Sequence, residues 1–201
     1  MMDHTVYFVR HGQTDWNAEG RLQGQVDTDL NDKGRAQASA NGRLLLDLVG
    51  DASAFDFVAS PLRRTRQTME RIRAAMNLDP AGYSTDPRLV ELHFGDWEGH
   101  TFPELEVIDP GCYARRELDK WNFVPPGSGA ESYAGLAERV RPLVDAIDRD
   151  TICVAHGGIL RAVLRLTDTL PPTACAAMLI PQDQVLRCKG GKVDWLQAAY
   201  S

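Results

Sequence analysis

"TICVAHGGILRAVLRLT", residues 151–167, changes periodicity around a pair of glycines. "TICVA" (151–155) is a short, unbroken apolar run, the pattern of a strand covered on both faces of a parallel sheet. "ILRAVLRLT" (159–167), beyond His156-Gly157-Gly158, reads as a helix. The start of the chain repeats the theme: Thr5 to Val9 form a buried-strand pattern that runs into Arg10, His11 and Gly12.

Working outward, residues 10–31 read as a long ordered loop. Asn31 or Asp32 caps a helix with Ala36, Ala40, Leu44 and Leu48 on one face, ending near Gly50. "FDFVAS" (55–60) is a second strand. Pro61 suits a first helical turn, after which Thr65, Met69, Ile72 and Met76 line one side. A short strand is expected at Tyr83–Thr85, then a loop leading into short helical pieces, and a turn-rich break at "NFVPPGSGAES" (122–132). Tyr133, Leu136, Val140, Leu143 and Ile147 form a helical stripe with a kink expected near Pro142. "CAAMLI" (175–180), "QVLRC" (184–188) and "KVDWL" (192–196) read as closing strands, the last two joined as a hairpin through Lys189-Gly190-Gly191.

Alternating strands and helices define the expected fold class as α/β, a three-layer α/β/α sandwich around a mainly parallel central sheet, in one domain spanning residues 1–201. The net charge of −6 argues against nucleic acid or an anionic membrane as the main partner, while allowing a small cationic pocket. No basic-then-apolar leader opens the chain, and no apolar run approaches the ~20 residues of a membrane helix. The four cysteines, Cys112, Cys153, Cys175 and Cys188, are widely spaced and read as free thiols in a reducing cytoplasm.

In open α/β sheets, ligands bind at the carboxyl ends of the strands. His11, Ser60 and His156 each follow an expected strand, so three distant segments deliver residues to one crevice. Arg10, Arg64 and two imidazoles in that crevice repel one another unless an anion joins them. Guanidinium matches phosphate oxygens with a planar fork of donors, and the helix opening at Gly157-Gly158 adds N–H groups. Neutral histidine is also a competent nucleophile near pH 7. Glu91, Asp96 and Glu98 in "LVELHFGDWEG" (89–99) are candidate acids for a leaving alkoxide.

"RHGQTDWN" (10–17), "SPLRRTRQT" (60–68), "ELHFGDWEG" (91–99) and "AHGG" (155–158), in this order, resemble the histidine phosphatase superfamily, which includes cofactor-dependent phosphoglycerate mutases and many phosphatases. The resemblance runs from Val6 to about Leu166 and implies a phosphoglycerate mutase-like sandwich. It makes His11 the nucleophile that becomes phosphohistidine, and Arg10, Arg64 and His156 the holders of the phosphoryl oxygens, with Asn17 alongside. Glu91 becomes the proton donor and then the base that activates water. Gln23, Gly24 and Gly157 are further candidates for phosphate or substrate contact; no metal and no cofactor is implied. Dimers are common in that family, so a homodimer is suggested by analogy alone. The chain departs from the usual pattern at Ala155, at Thr65 and in "PGSGAES" (126–132), which affects fine contacts rather than the charged or nucleophilic groups.

Competing readings are simpler. Arg63 is the solvated neighbour of Arg64, and Asp96 and Glu98 contest the role of Glu91. His4, His93 and His100 are structural or exposed, Trp97 and Phe94 support the loop, and Arg139, Arg141 and Arg149 form a solvated surface. "VDTDL" (26–30) lacks the apolar strand an aspartate nucleophile needs, and Ile159 stands where a cysteine phosphatase built on Cys153 needs arginine. A mutase carries a larger insert between acid and second histidine; here Glu91 and His156 are 65 positions apart. The expected activity is therefore hydrolysis of a small-molecule phosphate ester, with mutase chemistry and an inactive phosphate-binding module as alternatives. The segment His100–Glu131 is expected to roof the pocket, with Phe102, Tyr113, Trp121 and Phe123, and with Arg115 or Arg116 reaching a second anionic group.

Overall fold

Alternation along β1 (Val6–Arg10) divides the core between the two faces of a sheet. Val6 and Phe8 point into one apolar cluster, and Tyr7 and Val9 into another. The computed structural model describes residues 4–167 and 169–197. The first cluster is shared with α6 (Tyr133–Asp145) and α7 (Gly157–Leu166), the second with α2 (Asp32–Val49) and α3 (Arg63–Ala75). Helices on both faces of one sheet make the three layers expected from the sequence.

The sheet has six strands, adding β2 (Asp56–Ala59), β3 (Ser84–Thr85), β4 (Thr151–Ala155), β5 (Val185–Lys189) and β6 (Lys192–Leu196), in the order β3-β2-β4-β1-β5-β6. β3, β2, β4 and β1 are parallel, while β5 pairs antiparallel with β1 and with β6. The β5–β6 turn places Gly190 and Gly191 at φ +54° and +76°, the two positive values a type I′ hairpin needs. Among the described residues, no helix is long and apolar enough to cross a membrane. All four cysteines are free and buried.

Four expectations change. "CAAMLI" is not a strand: its first residues close α8 (Pro172–Ala177), and the rest is irregular. Pro172 at the helix start and the alanines favour helix, and β5 occupies the edge of β1 that such a strand would need. The 10–31 loop contains a short helix, α1 (Asp15–Glu19), closed by a reciprocal Thr14–Asn17 capping box. Pro61 lies outside α3, whose N-cap is Leu62. The buried face of α2 is Gly34, Ala38, Asn41, Gly42 and Leu45, with Ala36 and Leu48 exposed. Small residues let α2 approach α3 closely, and ranking positions by apolar character overlooked them. Two short helices, α4 (Phe102–Ile108) and α5 (Cys112–Leu118), realise the helical pieces expected after residue 100.

Candidate active site

β1 and β4 lie side by side, with Arg10 level with Ala155, so the next residues on the two chains are His11 and His156. The helix following β1 in the core, α2, covers one face, and α7, following β4, covers the other. This is the topological switch that opens a crevice at the carboxyl edge of a sheet. His11 N–H donates to Ala155 O (2.9 Å), and the two imidazoles meet edge to face with centroids 5.2 Å apart.

His11 is 3% exposed. Its Nδ1 lies 2.8 Å from Gly12 O. A carbonyl only accepts, so Nδ1 carries the proton and Nε2 keeps a free lone pair. Burial, then Arg64 and Arg10, hold the ring's pKa well below its ordinary range, outweighing the Gly12 hydrogen bond. The ring is therefore neutral at neutral pH, with the Nε2 lone pair unused.

Two guanidinium groups flank it. Arg64, wholly buried in the first turn of α3, donates from Nη1 to Val26 O and from Nη2 to Gly24 O, both at 2.8 Å. Arg10 Nη1 donates to Ile180 O at 2.7 Å. Burial first, then Arg161, push the Arg10 pKa down to about 10, which leaves it charged at neutral pH. Burial likewise lowers Arg64. Among the described residues, the buried side-chain nitrogens with no partner are Arg10 Nε, Arg64 Nε and His156 Nδ1. A buried polar group without a partner costs about 1–3 kcal/mol. Arg10 and Arg64 line the cavity with His11, and the His156 ring packs against that of His11, so these groups together suit an anion with several oxygens.

Glu91 reaches the same place from the loop between β3 and α4. Both its oxygens accept from Gly158 N–H at 3.1 Å, and Oε1 also accepts from Leu92 N–H at 2.8 Å. Asp96 is exposed, and Glu98 Oε1 braces the loop by accepting from Gln25 N–H (2.9 Å) and Phe94 N–H (3.2 Å). Of the three carboxylates, only Glu91 lines the cavity.

That cavity, about 340 Å³, is lined by Arg10, His11, Asn17, Gln23, Gly24, Arg64, Glu91 and Gly157, with His156 behind them and wholly buried. Asn17 Oδ1 accepts from Thr14 N–H (3.2 Å) and Gln182 Nε2 (3.0 Å), and Gln23 Nε2 donates to Thr14 Oγ1. Arg63 points away and pairs with Asp29 at 2.8 Å. A larger open groove, about 830 Å³, lies at the other end of the sheet around Asp56 and Thr151 and contains none of these residues.

The roof is only partly as expected. Phe102, Tyr113 and Arg116 line the cavity, whereas Arg115 pairs with Asp109, Trp121 stacks on Tyr133, and Phe123 stacks on Trp97. Arg161, Lys120, Tyr133, Arg21 and Leu22, which sequence reasoning missed as site residues, also line the cavity, as does Phe94, expected only to support the loop. Arg161 donates from Nε and Nη2 to Met178 O at 3.1 and 2.8 Å and sits over the Tyr133 ring. A signal existed: an arginine inside the otherwise buried run 157–164 of α7 needs a polar outlet. Arg139 also departs from the solvated-surface reading. It grips Glu131 through two bonds of 2.9 and 2.8 Å and the carbonyls of Arg88 (2.7 Å) and Val90 (3.1 Å), bracing the loop that carries Glu91.

The model of the histidine phosphatase superfamily (branch 1) matches residues 6–195. Glucosyl-3-phosphoglycerate phosphatase of Mycobacterium tuberculosis (strain ATCC 25618 / H37Rv) is 35% identical over 185 residues, covering 85% of this chain and 78% of that protein. The metal-independent phosphoserine phosphatase of Arabidopsis thaliana is 34% identical over 168 residues, covering 81% and 68%. The solved native structure of a mycobacterial glucosyl-3-phosphoglycerate phosphatase superposes with a TM-score of 0.79 at 29% identity, over 98% of this chain and 99% of that one.

Proposed function

The chain belongs to the histidine phosphatase superfamily, branch 1, and from that membership we propose a metal-independent phosphomonoesterase that works through a covalent phosphohistidine on His11. The carrying observation is the convergence of three unpartnered buried nitrogens, on Arg10, Arg64 and His156, beside the free Nε2 of His11.

The phosphoryl oxygens accept hydrogen bonds from those three groups, which stabilise charge as the transition state forms. His11 Nε2 attacks phosphorus, and the ester P–O bond breaks on the opposite side. Glu91, in its acid form, gives its proton to the departing alkoxide. The resulting carboxylate takes a proton from water as that water attacks the phosphohistidine, releasing inorganic phosphate and restoring His11.

Arg116, Lys120 and Arg161 add their positive charge to that of Arg10 and Arg64 around the cavity, and among the described residues their acidic partner is Glu117, at 2.5 Å from Arg116 and 3.4 Å from Lys120. Burial, then Arg116, lower the Lys120 pKa. This favours small phosphate esters that carry a second anion. The substrates named for the two relatives, a phosphoglycerate derivative and phosphoserine, both carry a carboxylate.

The test is phosphate release in EDTA from p-nitrophenyl phosphate, phosphoserine, 3-phosphoglycerate and glucosyl-3-phosphoglycerate. Turnover should vanish in His11→Ala, fall ~10²–10⁴-fold in Glu91→Gln, and show a raised KM for the carboxylated esters alone in Arg116→Ala. Undiminished turnover by His11→Ala overturns the mechanism. Isomerised phosphoglycerate with little free phosphate overturns hydrolysis in favour of a mutase.

A further inference from the structure

Ser60 and Thr65, neither of which lines the cavity, are joined to it through His156. Ser60 is wholly buried just past β2, its N–H donating to Val154 O at 3.0 Å. Its Oγ lies 2.8 Å from His156 Nε2 and receives Leu62 N–H at 3.5 Å. Thr65 Oγ1 lies 2.6 Å from Leu62 O and 2.9 Å from Ser60 O and shares its one hydroxyl proton between them.

We propose that Ser60, held in place by Thr65, is a positioning residue that donates its hydroxyl proton to His156 Nε2 and so keeps the single ring proton on Nδ1, facing the phosphoryl site. Burial disfavours a charged ring, and Arg64, His11, Arg10 and Arg139 add to that effect. A neutral imidazole has one N–H and one lone pair. His156 Nδ1 has no partner in the protein. A lone pair there would confront a phosphoryl oxygen with like charge, whereas an N–H would bind it. With the proton on Nδ1, Nε2 is an acceptor and Ser60 has to be its donor. Leu62 N–H approaches only one of the hydroxyl's two lone pairs, at 3.5 Å, and among the described residues His156 Nε2 is the acceptor within reach of the hydroxyl proton. The two histidines therefore carry opposite tautomers: His11 offers a lone pair to phosphorus, and His156 offers an N–H to its oxygen.

The phosphoryl half of this assignment rests on the proposed function; the tautomer does not. With ¹⁵N-histidine-labelled protein and no substrate, long-range ¹H–¹⁵N spectra at neutral pH should show His156 protonated on Nδ1 and bare on Nε2. Ser60→Ala should mix the tautomers and lower kcat by roughly 10², the scale of losing one oxyanion donor, while Ser60→Thr, which keeps the hydroxyl, restores the Nδ1–H signal. If Ser60→Ala fails to fold, Thr65→Val, nearly isosteric, should still broaden or mix the His156 tautomer with a several-fold smaller loss of kcat. A wild-type ring protonated on Nε2, or a folded Ser60→Ala with unchanged tautomer and turnover, overturns the proposal. A wild type inactive on every ester but showing the Nδ1–H tautomer overturns the phosphatase reading and supports this one.

Discussion

Gly158 shows how a single residue without a side chain sets the position of a reactive one. Its N–H holds both oxygens of Glu91 at 3.1 Å, and a Cβ at this position would overlap Glu91 Oε1 and come within 3.0 Å of Leu136 Cδ2. The carboxylate is the movable partner, so Gly158→Ala should displace Glu91 while the fold persists. We expect kcat to fall ~10²–10⁴-fold, as for loss of a positioned acid, with phosphate binding retained and the melting temperature nearly unchanged. Isothermal titration with inorganic phosphate beside steady-state kinetics checks this. A variant with wild-type kcat would show that Glu91 acts from somewhere other than the end of α7. Glycine at this position is legible in "AHGG"; its reason is not, because Glu91 is 67 residues away.

Between elements, close approach replaces bulk. At Gly42, in the middle of α2, a Cβ would stand 2.7 Å from Ile72 O and 2.8 Å from the Ala75 Cβ on α3. Alanine gains about 1 kcal/mol of helix propensity over glycine. Overpacking against backbone costs about 1–3 kcal/mol, and Ile72 O belongs to a helix that cannot yield locally. The net effect of Gly42→Ala should be a destabilisation of up to about 2 kcal/mol, a melting temperature lower by up to several degrees. Thermal unfolding followed by circular dichroism decides it; a stabilised variant would mean that α2 and α3 slide apart without cost. α3 was read correctly because Met69 and Ile72 are large and apolar. α2 was misread because four of the five residues on its buried face, Gly34, Ala38, Asn41 and Gly42, are small or polar, and only Leu45 carries an apolar signal.

For the whole molecule, two imidazoles buried among arginines couple stability to pH. His11 and His156 both have pKa values well below 6.5 when folded, chiefly through burial and then through Arg64. Unfolding returns each to about 6.5. Above that pH both states leave the rings neutral, and the two histidines contribute no pH dependence. Below it the unfolded chain takes up protons that the folded chain does not, so stability falls with decreasing pH, by up to about 1.4 kcal/mol per pH unit for each ring. Urea unfolding of wild type and His156→Asn at several pH values between about 7 and 5 measures this: the variant should lose roughly half of the histidine-linked slope. Equal slopes would place a charged His156 in the folded protein.

Sequence alone determined the alternation of strands and helices and the carboxyl edge, with Arg10, His11 and His156, as the candidate site. These are local facts: a buried strand needs an apolar run, and a motif lies within a few residues of its strand end. The resemblance to the superfamily, rather than any local pattern, singled out Arg64 beside Arg63 and Glu91 beside Asp96 and Glu98. The tertiary structure alone decided that "CAAMLI" is helix and irregular chain, that Arg116 rather than Arg115 faces the cavity, and that Lys120 and Arg161 join it. It alone set Ser60 against His156 from 96 residues away. Adjacent arginines on a helix look alike in one dimension; only packing chooses which is buried. Proton positions depend on partners that distant strands supply, and no local pattern records them.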